Sequence, residues 1–263
     1  MKIAFIGDSY CANIKPGGWP FIVAKEFNAD IIAQGLNGRA LFHSYEVLLE
    51  VVDQADYIIF CITEPNRLPN KDKKDINIAN SWDLDDYPID CSDKMYEAIK
   101  GYYNHIISFD WHKVAQKGLL MQIDELMLQK KKNCIWFPCF FNSMEGSDIK
   151  SGPVSNRSLF DIEMGMLKTK GMSDKDIETL ITFDSYRDSG RRDVFKKWLF
   201  NKKSNFKTRQ NHLNEEHNQI MANLIIDIIK KGNFISRKIK MEDYFESLRY
   251  KYSKEEHSPF IYD

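Results

Sequence analysis

Three short apolar runs near the start of the chain restrict its fold more than any other feature. Each is cut off by a polar turn, and helix-patterned stretches separate them. Lys2 to Ile6 (KIAFI) stops at Gly7-Asp8, Ala29 to Ala33 (ADIIA) at Gln34-Gly35, and Tyr57 to Ile62 (YIIFCI) at Thr63-Glu64-Pro65. A strand covered by helices on both faces reads as a continuous apolar run instead of alternating with polar residues. Strand, helix, strand, helix, strand in this order implies right-handed crossovers and a parallel sheet.

The intervening elements fit that frame. Trp19-Pro20 opens a helix to about Phe27, since Pro is tolerated in a first turn where its missing N–H would lack a partner. A second helix is expected from about Ala40 to Gln54, with Leu41, Tyr45, Leu48, Leu49 and Val52 on its apolar face. A helical zone follows over 93–132, broken near Asp110. Asn133 to Phe141 (NCIWFPCFF) reads as a fourth strand, 142–154 as loop and 158–198 as short helices. Asn214 caps a final helix, Glu215 to Lys231, with an apolar stripe of Ile220, Met221, Leu224, Ile225 and Ile228. The expected fold is α/β: a three-layer sandwich around a mostly parallel, flavodoxin-like sheet of four or five strands. One domain spans 1–231, with a polar inserted loop at about 68–92. Residues 232–263 form an aromatic-rich extension packed on the domain or on a partner.

Composition narrows the class. Among 263 residues, Lys plus Arg is 37 and Asp plus Glu is 38, a formal net charge of -1. That lacks the global basic excess of nucleic-acid binders, so no nucleic-acid partner is expected. The five cysteines are odd in number and form no CxxC pair. They read as reduced thiols rather than a disulfide framework or a zinc site. No apolar run reaches the roughly 18–20 residues of a membrane helix. The opening residues suit a first strand better than a signal peptide, so a cytoplasmic or otherwise non-secreted setting is expected.

Four clusters could carry chemistry. Gly7-Asp8-Ser9 ends strand one, where open parallel sheets bind ligands; the same residues also make an ordinary strand-ending turn. Gly35-Leu36-Asn37-Gly38 follows strand two and could offer an unobstructed backbone N–H to an oxyanion, or be simple turn chemistry. Thr63-Glu64-Pro65-Asn66-Arg67 follows strand three and supplies an Asn amide at the same edge. His212-Leu213-Asn214 stands just before the last helix, where a loop His can reach the crevice as a general base. Phosphate-loop patterns (GxxxxGK[ST], GxGxxG) and the GxSxG elbow are absent from the sequence. His105 and His112 lie seven apart on an expected helix and could face one way, but without nearby carboxylates they read as packing or surface residues. Cys11 reads as a small buried thiol rather than a nucleophile. Residues 187–209 hold nine Lys and Arg against two Asp. They are read first as a solvated helical face and second as a rim attracting anionic substrates.

In order and placement the four clusters resemble the SGNH, or GDSL-like, hydrolase superfamily. The resemblance covers about 1–67 and 205–231. It implies a serine ester hydrolase without a cofactor, acting on a small-molecule or glycan ester, such as an acyl or acetyl ester of a carbohydrate or lipid. Ser9 would be the nucleophile and His212 the base. The Ser9 and Gly38 N–H groups and the Asn66 amide would hold the oxyanion, with Asp8, Tyr10, Arg67 and Arg209 on the substrate side. Two positions depart from the family pattern. The third block lacks its Gly and Asp, and Arg209 stands where an Asp would orient the histidine. A Ser9–His212 dyad is therefore expected. The competing reading is a catalytically silent relative that binds glycan or protein in the same crevice, and acyl transfer is a third.

Overall fold

The computed structural model describes residues 1–12, 16–36, 38–65, 67, 69, 94, 97–98, 101–139, 144, 147–155, 159, 215–232, 234 and 237–239. The strands are β1 (Lys2–Ile6), β2 (Asp30–Ala33), β3 (Tyr57–Ile62), β4 (Asn133–Pro138), β5 (Pro153–Ser155) and β6 (Arg237–Ile239). They form one sheet in the order β2-β1-β3-β4-β5-β6, every neighbouring pair parallel. Among the described residues the helices are α1 (Trp19–Glu26), α2 (Leu41–Val51), α3 (Phe109–Gln129) and α4 (Glu215–Lys231).

The parallel α/β sandwich is as expected. Among the described residues the sheet carries six strands, because two three-residue strands extend it where the sequence shows only loop and tail. β5 lies at the end of the supposed 142–154 loop, and β6 lies within the expected extension. Runs of three residues are too short to show any period. β4 ends at Pro138, earlier than Phe141, although the Cys139 N–H still donates to Ile62 O at 2.8 Å.

Alternate residues of each central strand feed two separate cores, as pleating requires. Ile3, Phe5, Ile59, Cys61, Ile135 and Phe137 face α1 and α4, with Val23, Met221, Leu224, Ile225 and Ile228. Ala4, Ile6, Ile58, Phe60, Ile62, Cys134 and Trp136 face α2 and α3, with Leu41, Leu48, Leu120, Ile123 and Met127. The helix α4 stripe is buried as read, with Ile220 at its edge; Asn214 lies outside the described residues. On α2 one assignment is corrected. Leu49 is 50% exposed, and the inward stripe is Leu41, Ser44, Leu48 and Val51–Val52. The core direction on α2 is set by spacings of three and four from Leu41, which leave Leu49 on the outer side.

The break expected near Asp110 falls at Ile107–Ser108, where the backbone extends. The Ser108 hydroxyl accepts from Trp111 N–H and caps α3. A π-helical turn, Tyr102–Ile106, precedes it. His105 and His112 thus sit on different elements and do not share a helix face. Among the described residues no helix is long and apolar enough to cross a membrane. The 158–198 helices and the basic stretch 187–209 fall outside the described residues, apart from Leu159.

Candidate active site

The strand order reverses direction between β1 and β3: one half of the sheet runs outward from β1 through β2, the other from β3 through β4. A parallel sheet opens a crevice above its carboxyl edge at such a point, because the two flanking crossovers leave to opposite faces. The residues beyond β1 and β3 are Gly7-Asp8-Ser9 and Thr63 to Arg67.

Ser9 opens a short 3-10 turn, Ser9–Cys11, that immediately follows β1. The Asp8 side chain caps this turn by accepting from Tyr10 N–H at 3.1 Å. Ser9 is 8% exposed and Asp8 is fully buried. Gly7 has φ +148°, and a Cβ there would lie 2.3 Å from Cys61 O on β3. Glycine lets the chain turn upward against β3, and that turn sets Asp8 and Ser9 at the switch point. The loop after β2 closes over the same turn. Gly35 N–H donates to Cys11 O and Leu36 N–H to Gly7 O, each at 3.2 Å. A Cβ on Gly35 would lie 2.3 Å from Asp8 O and 2.5 Å from Cys11 Sγ. Gly38 follows at φ +71°, in a turn closed by Arg39 N–H to Leu36 O at 3.2 Å.

A buried ion pair joins the loops that follow β1 and β3. Arg67 Nη1 stands 3.3 Å from Asp8 Oδ2, and Arg67 Nε donates to Glu64 Oε1 at 3.1 Å. The side chains of Arg67 and Asp8 are 4% and 0% exposed. Burial alone would lower the Arg67 pKa, but the Asp8 and Glu64 carboxylates outweigh it and hold the guanidinium above its ordinary value. Asp8 Oδ1 also accepts from the Cys139 thiol at 3.4 Å, and Asp8 O from the Cys11 thiol at 3.5 Å. Cys11, Cys61 and Cys139 are all buried, and burial drives each thiol well above its usual pKa. Cys11 is therefore a neutral packing thiol, as its sequence setting suggests.

Thus the structure brings Asp8, Ser9 and Arg67 together at one edge. Tyr10 points down into the core at 3% exposure, and its carbonyl accepts from Trp19 Nε1 at 2.7 Å. Asn66, His212 and Arg209 lie outside the described residues.

The sequence reading missed how α3 holds the β3 loop. Gln116 Nε2 donates to Thr63 O at 2.9 Å, and His112 Nδ1 pairs with Pro65 O at 3.0 Å. A carbonyl only accepts, so Nδ1 carries the proton and Nε2 accepts from Tyr102 O–H at 2.7 Å. The only sequence signal was the spacing of four between His112 and Gln116, which places both on one helix face. Partners some fifty residues away in sequence were invisible.

No protein-family model matches the chain, and no curated protein matches it. Among solved structures, one match is described as a candidate lipolytic protein of the G-D-S-L family from Desulfitobacterium hafniense DCB-2. It is 11% identical, with a TM-score of 0.35, over 86% of this chain and 98% of that one.

Proposed function

We propose that this protein is a serine ester hydrolase with Ser9 as its nucleophile. The observation that carries the reading is the position of Ser9: first residue of a capped turn, directly beyond β1, at the switch point of a parallel sheet. In the proposed reaction Ser9 Oγ attacks the ester carbonyl carbon while its proton passes to the His212 imidazole. The carbonyl oxygen becomes an oxyanion held by the Ser9 and Gly38 N–H groups and the Asn66 amide. Collapse expels the alcohol, which takes the proton from the imidazolium and leaves an acyl-serine. Water, deprotonated by the same imidazole, then releases the acid and restores Ser9. Substrates of the acyl- or acetyl-ester class, on carbohydrate or lipid, fit this chemistry.

A second reading is a silent SGNH-like fold that binds glycan or protein in the crevice. Arg209 favours it, since a cation near an imidazole opposes the imidazolium formed during acylation. Turnover of p-nitrophenyl acetate separates the two. Wild type should hydrolyse the ester and label with a fluorophosphonate at Ser9. Ser9→Ala and His212→Ala should each lower kcat by roughly 10⁴ or more. An intact fold with no labelling at Ser9, or full activity in His212→Ala, would remove the Ser–His mechanism and leave the binding role.

A further inference from the structure

Helix α3 is apolar on two opposite sides. One side is the core face, with Leu120, Ile123 and Met127 fully buried and Gln116 nearly so. The other is a seam of Trp111, Val114, Gly118, Met121, Glu125 and Leu128, spaced alternately by three and four residues. On that seam Trp111 is 78%, Val114 71%, Met121 59% and Leu128 42% exposed, and a Cβ on Gly118 would meet nothing within 4 Å. Alternating spacings of three and four are the pattern of a helix that packs lengthwise against another helix.

The seam is not isolated. Nine large hydrophobic residues are exposed among the described residues. Six lie on the two helices of this layer: Phe42 and Leu49 on α2, and the four on the seam. Helices α2 and α3 are neighbours, joined by Gln122 Nε2 donating to Tyr45 Oη at 3.0 Å. Single exposed hydrophobics are normal, but the largest apolar patch of an ordinary monomer is about 300–600 Å². Six of the nine on one layer is a concentration that scattered exposure does not give.

We infer that the α2–α3 face is a docking surface for a second copy of this chain, with the two α3 helices packed antiparallel about a two-fold axis between Gly118 and Met121. The seam is complementary to itself in that arrangement alone. Met121 of one copy fills the space over Gly118 of the other. Trp111 meets Leu128, and Val114 meets the aliphatic stem of Glu125. The Glu125 carboxylate then emerges beside the exposed Lys117 of the other copy. Parallel pairing would oppose Glu125 to Glu125 and leave a gap between two Gly118 residues. Large against small and opposite against like charge both select the antiparallel pair.

Sedimentation of the full chain from about 1 to about 100 μM tests this. Wild type should run at twice the 30.9 kDa chain mass over most of that range. Met121→Glu and Val114→Lys should each raise the dissociation constant by at least about 100-fold, because each drives a charge into the seam. Both positions are exposed, so circular dichroism should be unchanged; if one variant misfolds, the other carries the test. Glu125→Lys should weaken the dimer by roughly 5-fold or more, and Lys117→Glu added to it should restore it. A wild-type monomer at every concentration, or a dimer indifferent to both seam substitutions, overturns the proposal. Loss of dimer without rescue by the charge exchange overturns the antiparallel register.

Discussion

The residue that most binds the crevice together is Asp8. Its carboxylate caps the Ser9 turn, pairs with Arg67 and accepts a thiol hydrogen, all out of contact with water. A buried ion pair contributes little over an apolar pair of the same shape, but removing one partner strands the other charge. Arg67→Ala should therefore cost about 3–5 kcal/mol in urea unfolding. The double variant Asp8→Asn/Arg67→Met should cost clearly less than the sum of its two single substitutions, since Asn still caps the turn and no charge stays buried. Strictly additive costs would show that the two side chains do not act as a pair. The Gly-Asp-Ser run was readable as a strand-ending turn or as a nucleophile block. Its partner Arg67 was visible only as a residue beyond the third strand, because 59 positions of chain separate it from Asp8.

At the scale of elements, the three central strands and the flanking edge strands should differ in local stability. β1, β3 and β4 are buried along nearly their whole length and share long ladders. β5 is registered to β4 through one residue pair, Trp136 and Val154, and among the described residues β6 pairs only with β5. Short ladders with few buried apolar contacts open locally before the molecule unfolds. Amides of 153–155 and 237–239 should exchange at least about 10-fold faster than those of 58–61 in native-state hydrogen exchange. Equal protection across the sheet would mean that β5 and β6 belong to the same cooperative unit as the centre. The same contrast explains which elements could be read from the chain. Five or six consecutive apolar residues announce a strand by themselves. Three residues acquire strand character only when β4 and then β5 supply a neighbour.

For the whole molecule, the buried thiols tie stability to alkaline pH. Cys11, Cys61, Cys134 and Cys139 are neutral in the fold, and burial is the first cause of each raised pKa. In the unfolded chain a thiol titrates near about 8.5. Below that value both states hold the proton and pH has no effect through these groups. Above it the unfolded state loses protons that the folded state keeps. Stability therefore falls as pH rises, by up to about 1.4 kcal/mol per pH unit for each thiol. The urea midpoint should drop between pH 8 and pH 10, and the drop should be shallower in Cys134→Ala. Identical slopes in wild type and variant would show that this thiol does not contribute.

Sequence alone determined the alternation of apolar runs and helix patterns, and with it a parallel α/β sheet covered on both faces. Those features are local: burial on two sides demands continuous apolar strands, and a helix against a sheet demands spacings of three and four. It also placed Ser9 beyond the first strand. Tertiary structure alone decided that β1 and β3 are neighbours, and so that Asp8 meets Arg67 at the reversal of strand order. It decided which way α2 turns, putting Leu49 outside, and that Gln116 and His112 hold the loop beyond β3. It also decided that one stripe of α3 is core while the opposite stripe, also largely apolar, lies outside the sheet's core. A helix with two apolar sides carries no local signal of which one the sheet will cover; only the crossover that delivers it there makes the choice.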